Sequence, residues 1–153
     1  MSGRSVTDVW NELADRDEAT LSPTERIVCQ AGMFLFDLDM GGWLYNFAPD
    51  HREPIGGGRM RDAADALAAI GSPAAARALR NIADIMDPEF HRPSKLGELG
   101  GEAWGTVLAR ADPGGRVREL EAIINAESDG VDGPGLWERL ESFTLANFEC
   151  TPG

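Results

Sequence analysis

Asp8, Glu12 and Asp15 are four and three residues apart, so a helix through them carries three carboxylates on one face. Glu119, Glu121 and Glu127 near the other end of the chain, with Glu138 and Glu141 beyond them, add a second acidic set. Carboxylates in such rows can hold a basic partner or imitate a phosphate track. Duplex DNA carries about one charge per ~1.7 Å of axis. Neighbours on one helix are ~5–6 Å apart, so mimicry needs two acidic helices, or two subunits, side by side. The same carboxylates also fit a plainer role as a solvated, solubilising surface.

Other residue types offer less chemistry. The two histidines, His51 and His91, stand beside prolines in expected loops. No G-x-S-x-G occurs, and neither a Ser-His-Asp nor a Cys-His arrangement follows from the spacing. Asp84, Asp87 and His91, or Asp37, Asp39 and His51, are conceivable metal ligands. Pro88 is expected to end its helix before His91 can join the first pair, and Asp37 and Asp39 point to different sides of theirs. No metal and no cofactor are expected. Gly56-Gly57-Gly58 lacks the Gly-Lys-Ser/Thr of a phosphate loop and reads as a flexible connection. Arg52, Arg59 and Arg61 beside it make only a weak anion site at a helix start.

The 153 residues fit one domain. They carry 26 acidic and 14 basic groups, a formal charge of −12. Lys95 is the single lysine. Such a surface repels nucleic acid and anionic membrane and attracts basic proteins. The charge sits at the ends. Residues 1–50 carry nine acidic and three basic groups and residues 119–153 eight and one, while residues 51–118 carry nine and ten. Should the first and last helices be neighbours, they form one negative face. Cys29 and Cys150 make no CxxC pair or disulfide framework, with Cys29 inside an apolar helix and Cys150 in an expected frayed tail. No signal-peptide core and no span of ~20 apolar residues is present, so a cytoplasmic location is expected.

The elements that must position these groups read as helices throughout. Val6, Val9, Trp10 and Leu13 mark a helix over Val6–Ala19. Ser22, Pro23 and Glu25 form a capping box with proline at the first helical position. The helix behind it carries Ile27, Val28, Ala31, Phe34, Leu35 and Leu38 on one stripe, widened by Met33 and Phe36, and reads as central. Gly41-Gly42 closes it, and Trp43, Tyr45 and Phe47 restart a short aromatic helix. Pro49–Gly58 reads as a loop. Helices at Arg59–Ile70 and Ala74–Met86, joined through Gly71, Ser72 and Pro73, form a tight αα-hairpin with small inward residues. After the loop Asp87–Gly101 come helices at about Glu102–Arg110, Arg116–Ala126 and Leu136–Phe148. Trp104, between Gly101 and Gly105, is the tryptophan expected to touch a partner. No segment alternates as a strand does, which predicts an all-α, single-domain bundle of six to eight short helices.

With those elements placed, the chain resembles the small, acidic, all-helical bacterial DNA-mimic proteins, whose shared domain otherwise has no assigned activity. Three blocks carry the resemblance: Leu21-Ser22-Pro23-Thr24-Glu25-Arg26; Met40-Gly41-Gly42-Trp43 followed by Leu44-Tyr45-Asn46-Phe47; and Ala66-Leu67-Ala68-Ala69-Ile70-Gly71-Ser72-Pro73-Ala74-Ala75-Ala76. It spans about residues 6–90, and the helices of 102–148 match loosely. Met40 and Tyr45 stand where the family motif has Asn and Gln, which favours a structural role for Gly41, Gly42, Trp43, Gly71 and Pro73. The resemblance implies an all-α fold, homodimer formation and a DNA-binding regulator as partner. The expectation is a non-enzymatic acidic protein that occupies a basic, nucleic-acid-binding surface. The alternatives are a general regulatory or immunity-type binding module, and an enzyme with a pocket near His51.

Overall fold

Short-range hydrogen bonds decide where the helices begin. Ser22 Oγ accepts from the Glu25 amide while the Glu25 carboxylate accepts from the Ser22 amide, and Pro23 opens the helix. The same reciprocal pair forms between Ser5 and Asp8. The computed structural model describes residues 3–41, 56–90 and 104–152. Among them are seven α-helices: α1 (Val6–Ala14), α2 (Pro23–Met40), α3 (Gly56–Ala69), α4 (Pro73–Phe90), α5 (Trp104–Ala111), α6 (Arg116–Asp129) and α7 (Leu136–Asn147). No strand occurs among the described residues, where the one β element is an isolated bridge between Ser5 and Thr151. No described helix is long and apolar enough to cross a membrane.

One hydrophobic core joins all these helices, from Val9 of α1 to Leu140 of α7. The α3–α4 hairpin is its centre. Ala63, Ala64, Ala66, Ala75, Ala76, Ala78 and Ala83 are buried along it with Leu67, Leu79 and Ile82. Side chains this small let the two backbones approach closely. Gly71 closes the hairpin at φ +100°, a left-handed conformation that favours glycine. On this hairpin α2 packs against α3, while α6 and α5 pack against α4. Helix α7 lies against α1, α2 and α6.

Several boundaries differ from expectation, each for a physical reason. Helix α1 stops at Ala14, and Glu18–Thr20 form a separate 3₁₀ turn. There the Asp17 side chain accepts from the Ala19 amide and Thr20 Oγ1 donates to the Asp17 carbonyl, local bonds that compete with helix continuation. Gly56, Gly57 and Gly58 are the first turn of α3, not a connection. Glycine costs about 1 kcal/mol per helical position, which burial of Met60, Ala63, Ala64 and Leu67 outweighs. Pro88 lies inside α4 instead of ending it. The bond it forfeits is offset by Met86, fully buried, and by Glu89, buried and bonded to Arg110 of α5. Helix α6 continues past Ala126 to Asp129. Cys150 is half-buried against the core, so the tail is not frayed there. Gly41 has φ +80° and ends α2 as expected. Gly42, Trp43, Tyr45 and Phe47 lie outside the described residues.

Candidate functional site

The chain's two ends are tied together. Val6 N–H donates to the Thr151 carbonyl at 2.8 Å, and Thr151 N–H donates to the Arg4 carbonyl at 3.0 Å. Behind this bridge the Trp10 and Trp137 rings pack with centroids 5.4 Å apart, tilted by 42°. A contact of this kind contributes about 0.5–1.5 kcal/mol beyond burial. Trp10 Nε1 donates to Thr144 Oγ1 at 3.0 Å, and Trp137 Nε1 donates to Asp39 at 2.7 Å. Each indole thus ties one terminal helix to another element. The condition for a joint acidic face, neighbouring first and last helices, is met in α1 and α7.

The carboxylates singled out above divide by what they already hold. Asp8 caps α1, and hydrogen bonds from the Ser5 backbone and hydroxyl keep its carboxyl below the usual carboxylate range. Glu12 pairs with Arg4 across exposed surface. Glu127 is half-buried and accepts from the Ser72 hydroxyl at 2.8 Å, so part of its hydrogen-bonding capacity is spent inside the fold. Glu121 is partly buried and engaged. Asp15, Glu119 and Glu138 are exposed, and Glu141 is half-buried. Glu138 and Glu141 share a face of α7, and Asp8 and Glu12 share a face of α1, with Asp15 at the cap just past its C-terminal end. Glu119 stands on α6, which packs against α7 but shares no extensive contact with α1.

The candidate chemical groupings are absorbed by the scaffold. Asp84 and Asp87 do share a helix face, and both pair with Arg61, at 2.9 and 3.3 Å. These two carboxylates hold the Arg61 guanidinium more firmly protonated. Asp39 is committed to Trp137. No group of three or more metal-ligating side chains occurs among the described residues. Burial pushes the Cys29 thiol up, with Glu18 adding to the effect, which makes it a poor nucleophile at neutral pH. Tyr45, His51, Arg52 and His91 lie outside the described residues, as does the Trp104 side chain.

An apolar groove adjoins the joined ends and was not foreseen as a site. It has a volume of about 340 Å³ and is lined by Trp10, Asn11, Val28, Gly32, Met33, Phe36 and Trp137 among others. Met33 and Phe36 on its outer lip are 48% and 60% exposed, and Met40, one turn farther along α2, is 71% exposed. Met33 and Phe36 had been expected to make α2 a central helix, but that part of its circumference is uncovered among the described residues. The sequence signal was present: Cys29, Met33, Phe36 and Met40 form a second apolar stripe at three- and four-residue spacing, opposite the one that builds the core.

No known family model, curated protein or solved structure matches this chain.

Proposed function

We propose that this protein is a non-enzymatic, acidic binding module that docks a basic surface of another protein against its joined chain ends. The observation that carries this reading is the bridge between Ser5 and Thr151 with the Trp10–Trp137 contact, which sets α1 beside α7. The acidic residues of α1 and α7 thereby lie on neighbouring helices, in a chain of net charge −12. Asp15, Glu138 and Glu141 supply the field that steers a cationic partner and sets the ionic-strength dependence of docking. Imitation of DNA is the special form in which that partner is a nucleic-acid-binding regulator. The family resemblance in residues 6–90 supports it, and carboxylates on two adjacent helices are what it requires.

The test is affinity capture from a native cell extract at low and high ionic strength. A basic protein retained at low salt and released at about 0.5 M, where the screening length is only a few ångströms, supports the reading. Neutralising Asp15→Asn, Glu138→Gln and Glu141→Gln together should weaken capture at least tenfold. Retention indifferent to both salt and these substitutions would overturn it. Competition between the captured protein's duplex DNA and this chain separates DNA imitation from general docking.

A further inference from the structure

Resting on that reading, we infer that the groove between α1, α2 and α7 receives the apolar face of a cationic amphipathic helix from the partner protein. Large apolar side chains left in solvent as a contiguous strip mark interaction surfaces on a folded protein. Here the strip runs from Met33 through Phe36 to Met40, about 10 Å along α2 at 1.5 Å per residue, with Cys29 half-buried one turn before it. That length matches about two turns of a docked helix. Beside the strip, the groove between Trp10 and Trp137 is about 340 Å³, room for a large apolar anchor side chain. Gly32 is among the residues that line it. This combination of a strip and an anchor pocket is how helix-in-groove recognition works.

The surrounding charges select the occupant's polar edge. Asp37 and Asp39 fall on opposite sides of the strip at its C-terminal end, Asp39 already accepting from Trp137, and Asp37 is the one charged residue among the described residues that line the groove. One helical turn from the lining residues Asn11 and Trp137 stand Asp15 and Glu141. The opposing cations, Arg16, Arg26 and Arg59, line a smaller adjoining cavity with Glu18 and Asp62, and Asp37 borders both spaces. A helix with apolar residues at three- and four-residue spacing and Lys or Arg on its flanks therefore complements the groove. An anionic or uncharged amphipathic helix complements it only in part.

Fluorescence anisotropy of labelled model peptides on the intact chain tests this. The first probe is a helical Leu/Lys peptide with leucine on one face, the second a Gln/Lys peptide of equal charge, the third a Leu/Glu peptide. The expected result is binding of the Leu/Lys peptide at least tenfold tighter than either other, and a tenfold loss in Met33→Ser/Phe36→Ser. Both residues are exposed, so this variant should fold, which far-ultraviolet circular dichroism checks. Equal binding of both Lys peptides, or none of the loss in the variant, would overturn the groove while leaving acidic docking intact. Equal binding of the Leu/Glu peptide would overturn the cationic class. No binding of any peptide would overturn the inference. Self-association of the chain that the double variant abolishes would assign the groove to a second copy and overturn it equally.

Discussion

Ser72 and Glu127 show how one side chain is diverted from surface chemistry to structure. Ser72 is fully buried at the head of α4, and its hydroxyl donates to a half-buried carboxylate of α6. Ser72→Ala leaves that carboxylate without its donor, and an expected loss of about 1–3 kcal/mol follows. Urea unfolding of the single and Glu127→Gln double variants measures it, and a non-additive double variant is the expected result. The capping carboxylates respond to pH. Backbone donors lower the Glu25 and Asp8 pKa values in the folded chain. The unfolded chain therefore binds more protons across the window between the two states' values. The stability they contribute is complete above the ordinary carboxylate range and is lost as pH falls through the folded values. Thermal unfolding of Glu25→Gln and the parent should differ at neutral pH and converge in acid. These carboxylate assignments were half legible. The Ser22-Pro23-Thr24-Glu25 box is read within four residues, but nothing local near Glu127 announces a serine 55 positions away.

Helices α3 and α4 meet through small side chains, and the turn between them is the element most sensitive to backbone chemistry. Gly71 at φ +100° has room for a methyl group, since an added Cβ would come no nearer than 3.5 Å to Arg139 Nη1. Its conformation alone penalises Gly71→Ala, by about 1–2 kcal/mol. Gly32, inside α2, is the opposite case. An added Cβ there meets Leu140 Cδ2 at 3.8 Å, an ordinary contact. Gly32→Ala should therefore stabilise the fold by about 0.5–1 kcal/mol through helix propensity. Calorimetric midpoints of the two variants should move in opposite directions. Gly71 was recognisable because it lies between two periodic segments and before Ser-Pro. The fate of Gly56–Gly58 was not, because intrinsic propensity argues against helix there and only packing of the residues behind them overrides it.

At the scale of the whole molecule, charge opposes compaction. A net charge of −12 with its acidity at two joined ends means that α1 and α7 approach against mutual repulsion. The backbone bridge at Thr151, the Trp10–Thr144 bond and the Trp10–Trp137 contact hold them. Moderate salt should accordingly raise the unfolding midpoint, with most of the rise complete by about 0.2 M as the screening length falls below 10 Å. Trp10→Phe keeps a ring in place but loses the donor to Thr144. An expected cost of about 1 kcal/mol, largest at low salt, would identify that bond as part of the closure. A midpoint that falls with added salt would contradict this account of the ends.

By itself, the sequence determined that the described residues are helical, where α1, α2, α4, α6 and α7 start, and which apolar stripes were available to face inward. Those properties follow from hydrogen bonds and periodicities that span a few residues. It also determined that the acidity is concentrated at both ends. Only the tertiary structure decided that those ends meet, that Glu127 serves Ser72, that Asp39 serves Trp137, and that the second apolar stripe of α2 stays uncovered among the described residues. Each of those outcomes depends on which elements become neighbours across dozens of residues. A helix's own sequence can show two apolar faces, but only its packing chooses which one the core takes.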